Sequence, residues 1–182
     1  MLVKENTGLI VIDIQGRLAN LVYESSTLIS NCVKLITGAQ VLNLPILWLE
    51  QNPTKLGPTV PELSVLLTAK SSNLIESLPD KEQHSLQQPI EKFSFDACKE
   101  DVFMQSIQNS GVDNWLICGI EAHVCVYQTA LNLKRNGLEV QLVTDCISSR
   151  NSHNKQLAIS KLVRNGIELT GLEMCLFEFS IL

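Results

Sequence analysis

Gly8-Leu-Ile-Val-Ile-Asp13 is the stretch of sequence that decides the fold. It is a continuous apolar run, rich in β-branched residues, with a glycine before it and an aspartate after it. A strand with one face in water would alternate apolar and polar residues, so this run predicts a strand of a parallel sheet that is covered on both faces. Asn114-Trp-Leu-Ile-Cys-Gly-Ile120 repeats the pattern and is the clearest second strand.

Short apolar runs alternate with helical periodicity along the rest of the chain. Four more strands are predicted at 45–50, 90–95, 139–144 and 167–170. Helices are predicted at 25–43, 61–67, 99–109, 123–136, 152–165 and 173–179, and most of 51–89 is predicted to be irregular. Strands separated by helices form βαβ units with right-handed crossovers. The pattern predicts a single domain over 1–182, a Rossmann-like three-layer α/β/α sandwich with a six-stranded, mainly parallel sheet.

Composition excludes several classes of protein. The 182 residues are 45% hydrophobic and 18% charged, with a net charge of −5, which is untypical of disordered chains and of nucleic-acid binders. No apolar run approaches the roughly 20 residues that span a bilayer, and the N-terminus has no signal-peptide pattern. The six cysteines form no CxxC pair, so free thiols in a reducing, cytoplasmic setting are expected. Neither common phosphate-loop glycine motif occurs, and no cofactor is predicted.

Three reactive side chains follow predicted strands. Asp13 ends the first strand, Lys92 lies in the third, and Cys125 comes shortly after the fourth. Ligands bind at the carboxyl ends of strands in such sheets, so the three residues are expected on one edge. Cys125 falls in the first turn of a predicted helix, where the helix dipole and Lys92 would lower the thiol pKa.

These residue types together are those of an acyl-transfer site. A thiolate attacks a carbonyl, Asp13 moves the proton, and backbone N–H groups of the sharp 119–125 turn stabilise the oxyanion. Taken singly, Asp13 could cap a loop, Lys92 could be a solvated charge, and Cys125 could be a core residue. Their joint placement at strand ends favours catalysis. A binding or scaffold protein without activity and a thiol redox-responsive protein are the alternatives.

Three segments carry a resemblance to a known family. Val11-Ile-Asp-Ile-Gln15, Glu91-Lys92 and Gly119-Ile-Glu-Ala-His-Val-Cys125 resemble, in order and spacing, the isochorismatase-like cysteine hydrolases. Val143-Thr-Asp-Cys-Ile-Ser-Ser-Arg150 extends the resemblance, which covers nearly the whole chain. The short length and Trp48-Leu-Glu-Gln51 look most similar to the small isochorismatase-domain proteins without an assigned substrate.

The resemblance implies a site and a chemistry. Asp13, Lys92 and Cys125 would form the catalytic triad, and the Ile120–Glu121 peptide bond would be cis. The N–H groups of Glu121 and Cys125 would form the oxyanion hole. The implied substrate is a small molecule with an amide or related C–N bond, cleaved through an acyl-enzyme on Cys125. The resemblance also implies a homo-oligomer, a dimer or larger.

Two departures narrow the expected activity. The nicotinamidase branch binds a metal through an aspartate and closely spaced histidines after the second strand, yet no histidine precedes His84 here, so no metal site is expected. True isochorismatases lack the nucleophilic cysteine, so Cys125 argues against that substrate. Gln15, Gln51 and Phe93 are interpreted as pocket residues, with ordinary loop or packing roles as the alternative.

Overall fold

The sheet has six strands, and all of them run parallel. A computed structural model gives residues 2–68 and 88–179 of the chain. The strands are β1 (Thr7–Ile12), β2 (Ile46–Gln51), β3 (Ile90–Lys92), β4 (Asn114–Ile120), β5 (Glu139–Ser148) and β6 (Glu168–Thr170), in the spatial order β3-β2-β1-β4-β5-β6. The predicted sheet is confirmed, and "mainly parallel" becomes entirely parallel.

Helices cover both faces of the sheet. They are α1 (Gly16–Leu21), α2 (Ser25–Val41), α3 (Pro53–Leu56), α4 (Pro61–Thr68), α5 (Asp101–Ser110), α6 (Tyr127–Arg135), α7 (Ser152–Arg164) and α8 (Leu172–Glu178). One core cluster joins Leu9 and Val11 of β1 to α2, α4 and α8, and the other joins Ile10 and Ile12 to α5, α6 and α7. Successive β1 side chains therefore enter opposite cores, which explains the unbroken apolar run.

Several predicted boundaries need correction. Strand β3 ends at Lys92 rather than at 95, because the N–H groups of Phe93 and Ser94 turn to the Glu100 carboxylate at 2.9 and 3.1 Å. Strand β5 continues past 144 to Ser148, where its far end pairs with the end of β4. The short helices α1 and α3 lie in segments for which no helix was predicted.

The helix predicted over 123–136 has two parts. Its first turn, Ala122–Val126, is π-helical, and regular α6 begins only at Tyr127. The second half of the segment predicted as irregular, and the last three residues, lie outside the described residues.

Strand order places a switch point between β1 and β4. From this central pair, the chain proceeds through β2 and β3 to one side and through β5 and β6 to the other. The connections that follow β1 and β4 lead to opposite sides of the sheet, so a crevice remains beyond the carboxyl ends of these two strands. Gly119 permits the close approach of the two strands, since a Cβ at this position would lie 2.1 Å from the carbonyl oxygen of Ile12.

Candidate active site

The structure brings the three predicted catalytic residues to the same edge of the sheet. Asp13 directly follows β1, Lys92 is the last residue of β3, and Cys125 lies in the π-helical turn after β4. Asp13 and Cys125 both line one cavity of about 350 Å³ at the switch point. Lys92 is fully buried and does not line the cavity, but its ammonium pairs with Asp13 and also acts on the Cys125 thiol.

The Lys92 ammonium is completely enclosed by acceptors. Its Nζ lies 2.7 Å from Oδ2 of Asp13 and donates hydrogen bonds to Oε1 of Gln51 at 2.7 Å and to the Ser94 carbonyl at 3.3 Å. Three donors with three acceptors are what a buried ammonium requires, because an unpaired buried charge is strongly unfavourable. The geometry holds a positive charge beside Asp13.

Asp13 is held in an unusual conformation and environment. Its φ of 52° lies in the left-handed region, which non-glycine residues adopt rarely and mostly where function constrains the backbone. Burial raises the pKa of its carboxyl, although Lys92 and the Cys125 thiol act in the opposite direction. In the described parts of the chain, no group donates a well-formed hydrogen bond to Oδ1. This oxygen can therefore accept a proton.

The Cys125 thiol is protonated in the resting site. Burial and the negative charge of Asp13 raise the thiol pKa to about 12, and the opposing effect of Lys92 is smaller. The lowered pKa expected from the helix dipole is therefore wrong for the resting site, because desolvation and Asp13 outweigh the favourable charges. Deprotonation has to accompany attack on a substrate.

The turn before Cys125 has the geometry that the resemblance implies. The Ile120–Glu121 peptide bond is cis. The Glu121 carboxylate binds Arg150 through the backbone N–H at 3.1 Å and through Nε and Nη2 at 3.0 and 3.3 Å. Burial tends to raise the pKa of Glu121, but the hydrogen bonds and charge of Arg150 outweigh it and hold the pKa below its usual value. Arg150 thus ties the end of β5 to this turn.

The two predicted pocket glutamines line the cavity but serve mainly as braces. The Gln15 amide donates to the carbonyls of Gln51 and Gly57 at 3.0 and 2.7 Å and accepts from the Gln51 N–H at 2.7 Å. Gln51 holds Lys92 and donates to the Phe93 carbonyl at 3.1 Å. Together they fix the segment before α4 against the ends of β1 and β2.

Phe93, the third predicted pocket residue, does not line the cavity. Its side chain is 68% exposed, and the aromatic ring at the cavity is that of Phe95, two residues further along. Phe93 was suggested as an aromatic residue near a strand end, but the chain leaves the sheet after Lys92 and turns its side chain outward.

Sequence reasoning missed several features of the cavity. Leu18, Leu56, Phe95, Val124 and Arg150 also line it, beside Ile120 and Glu121 of the predicted cis peptide. The Glu121–Arg150 pair had a weak signal, because both residues lie inside the segments that carry the family resemblance. Leu18 and Leu56 come from α1 and α3, for which no helix was predicted, and Phe95 comes from the loop after β3.

Glu50, the residue before the last in β2, makes a structural contact near the site. Its Oε1 accepts hydrogen bonds from the N–H and hydroxyl of Thr59 at 2.6 and 2.7 Å, and Thr59 in turn accepts from Trp48 Nε1 at 2.7 Å. His123 likewise turns away from the nucleophile, with Nδ1 2.9 Å from the Ser149 hydroxyl.

Over residues 2–68 and 88–179, no group of three His, Cys, Asp or Glu side chains is arranged to hold a metal. None of the helices in this part of the chain is long and apolar enough to cross a bilayer.

Comparison with known families gives a match over almost the whole chain. The model of the isochorismatase domain matches residues 7–174. Isochorismatase domain-containing protein 2 of Danio rerio is 32% identical over 171 residues, which cover 93% of this chain and 77% of that protein.

Solved structures show the same architecture. The MAR1 ribonuclease of Caenorhabditis elegans is 30% identical with a TM-score of 0.80, and the match covers 96% of this chain and 81% of that one. The ycaC gene product of Escherichia coli, an octameric hydrolase of unknown specificity, is 23% identical with a TM-score of 0.81 over 96% of this chain and 79% of that one. At that lower identity, the likeness shows the fold alone.

Proposed function

Because this chain belongs to the isochorismatase domain family, we propose that it is a cysteine hydrolase that cleaves a small amide or related C–N bond. The observation that carries the proposal is the convergence of Asp13, Lys92 and Cys125. Asp13 and Cys125, far apart in sequence, contribute a proton acceptor and a thiol to one cavity wall, and the buried Lys92 ammonium lies behind it, 2.7 Å from Asp13. An acyl-transfer enzyme needs this combination of groups.

The first half of the proposed reaction forms a thioester. Oδ1 of Asp13 takes the thiol proton as the sulfur of Cys125 attacks the carbonyl carbon, and the C=O electron pair moves to oxygen. The N–H groups of Glu121 and Cys125 donate to this oxyanion. When the intermediate collapses, the C–N bond breaks, and the proton on Asp13 passes to the leaving amine.

The second half regenerates the enzyme. Asp13 removes a proton from water, the hydroxide attacks the thioester carbonyl, and the C–S bond breaks to give a carboxylic acid. The thiolate that leaves recovers its proton from Asp13. The raised pKa of Cys125 suits this sequence, because a concerted transfer to Asp13 avoids a free thiolate in a buried site. Lys92 stabilises the negative charge that moves between the two residues.

The test compares two cysteine variants on a panel of small amides, with ammonia release as the measurement. We expect Cys125→Ala to lose at least about 10³-fold in kcat/KM. Cys98→Ala, a matched control with a thiol that does not line the cavity, should keep its activity. Mass spectrometry of the wild type during turnover should show an acyl adduct on Cys125. Full activity of Cys125→Ala on a verified substrate would contradict the proposal.

Metal independence belongs to the same proposal. It is supported by the engagement of Glu50 with Thr59 and by the lack of any histidine before His84. We expect enzyme dialysed against a chelator to retain its turnover of the amide panel. A loss of activity that Zn²⁺ or Mn²⁺ restored would overturn this part.

The alternatives differ in what they require of Cys125. A peroxide-responsive thiol should be exposed and of low pKa, whereas Cys125 is 7% exposed and its pKa is raised to about 12. A binding protein could tolerate loss of a triad member, but all three are present. Fast oxidation of Cys125 by hydrogen peroxide without any amide turnover would favour the redox alternative.

A homo-oligomer in the cytoplasm completes the proposal. On α8, Met174 and Phe177 are 65% and 67% exposed, while Leu172 and Cys175 pack into the core. All six cysteines are free, as expected in a reducing compartment. Light scattering should report a dimer or larger, and a monomer would contradict the assembly. Localisation of a tagged full chain outside the cytoplasm would contradict the compartment.

A further inference from the structure

Each charged side chain among the described residues that line the cavity has a partner of opposite charge. Among its described lining residues, Asp13, Glu121 and Arg150 are the charged ones. Asp13 is paired with the buried Lys92 at 2.7 Å, and the two oxygens of Glu121 bind Nε and Nη2 of Arg150. Each pair sums to zero charge, so the wall presents no unpaired charge to a ligand.

The remaining wall offers mainly apolar contact. Both glutamine amides are engaged by protein partners, as described above. Apart from the Cys125 thiol, the other lining groups are aliphatic or aromatic, and they come from α1, α3, the loop after β3, the end of β4 and the turn that holds Cys125. An ionised ligand group would lose its water here without gaining a counter-charge, which is unfavourable in a half-enclosed site.

From these observations, we propose that the cavity selects an uncharged, predominantly apolar acyl group and rejects acyl groups that carry a carboxylate or an ammonium. The inference rests on the proposed hydrolase function, since it names the substrate class of the same site. Neutral aliphatic or aromatic amides that fit about 350 Å³ would be accepted. Selectivity would come from the absence of a free counter-charge rather than from a specific hydrogen bond.

Three amides of matched length test the proposal. Butanamide is neutral, succinamate carries a terminal carboxylate, and β-alaninamide carries a terminal ammonium. We expect kcat/KM for butanamide to exceed each of the others by at least about 100-fold. Equal rates, or a preference for either charged amide, would overturn the proposal.

A second readout does not depend on turnover. Each amide is tested for protection of Cys125 against alkylation by iodoacetamide at about pH 7.5, where β-alaninamide keeps its ammonium, with mass spectrometry as the readout. Butanamide should protect at concentrations at least about 100-fold lower than the charged amides. If no amide is hydrolysed but this order holds, the hydrolase proposal fails and the selectivity stands. If Cys125 hydrolyses succinamate as well as butanamide, the selectivity fails and the hydrolase stands.

Variants of the surface-facing pair provide a reciprocal test. The quantity compared is the ratio of the protecting concentrations of a charged amide and of butanamide. Glu121→Gln leaves the Arg150 charge unpaired and should lower this ratio for succinamate by about tenfold. Arg150→Met leaves Glu121 unpaired and should lower the ratio for β-alaninamide. Because each ratio is taken within one variant, a general loss of activity cancels. Ratios for a given amide that stay fixed, or move in the same direction in both variants, would overturn the proposal.

Discussion

Replacing Lys92 by Met is expected to destabilise the protein by about 3–5 kcal/mol, the usual effect of removing one partner of a buried ion pair. The substitution keeps the length of the side chain but removes a fully buried charge. It leaves three acceptors without their donor, namely those of Asp13, Gln51 and Ser94. For a chain of this size, the loss corresponds to a fall in Tm of about 6–20 °C.

The matched control is Lys134→Met. Lys134 and Glu139 are 2.6 Å apart, so the pair is as short as the buried one, but their side chains are 30% and 63% exposed. Exposed pairs contribute about 1 kcal/mol or less because water screens them. Urea denaturation of both variants measures the free energy of unfolding. Equal effects of the two substitutions would refute the argument that burial makes the Asp13–Lys92 pair important.

The pH dependence follows from Asp13. Lys92 lowers the pKa of this carboxyl against the effect of burial, so the variant has a higher Asp13 pKa in the folded state. A raised folded-state pKa means that stability falls as pH rises above the unfolded value of about 3.9. The deficit of Lys92→Met should therefore be smallest near about pH 4 and grow toward neutral pH. Adding Asp13→Asn should recover much of the loss, since the double variant buries no unpaired charge.

Three further predictions concern other parts of the fold. Gly119→Ala should destabilise the protein by about 4 kcal/mol or more, because the new Cβ would lie 2.1 Å from a backbone carbonyl oxygen at a φ of 134°. The control Gly137→Ala, with open space around it and a φ of 87°, should lose only about 1 kcal/mol, and thermal unfolding distinguishes the two variants. Alkylation of Cys125 should accelerate about tenfold per pH unit up to pH 10 without a plateau, since its pKa is about 12, and a plateau below pH 9 would contradict that value. Arg150→Met should lower stability slightly at pH 7 and by less at about pH 3. The lowered pKa of Glu121 contributes stability that is present above its unfolded pKa of about 4.3 and is lost as pH falls through the folded pKa. Urea midpoints at the two pH values test this.

Periodicity was enough to predict the layers and the central strands. The strand at 114–120 is found with the predicted bounds, and β1 differs by one residue. These strands are buried on both faces, so their continuous apolar sequence follows directly from their place in the middle of the sheet. Strand β3 was predicted too long because the Glu100 carboxylate, in the turn that follows, binds the N–H groups that would extend the strand. Local sequence carries no signal for such competition.

The placement of Asp13, Lys92 and Cys125 at one edge of the sheet was predictable from the sequence, but the electrostatics there was not. The carboxyl ends of parallel strands must share an edge, so the placement of Asp13 and Cys125 followed from topology. The thiol pKa depends on how completely water is excluded and on which neighbouring charge dominates. Likewise, the pairing of Glu121 with Arg150 depends on how β5 ends beside the turn after β4. Both require the packed structure.

The order of the strands also has a consequence for how the chain folds. The central partner of β1 is β4, with Thr7 opposite Asn114, so the two halves of the site join only after most of the chain has been synthesised. Until then, the emerging β1 has one unpaired, strongly apolar edge, a configuration prone to aggregation. Such a high contact order also slows folding. During synthesis on the ribosome, the first half of this protein is therefore expected to depend on chaperones until the second half emerges.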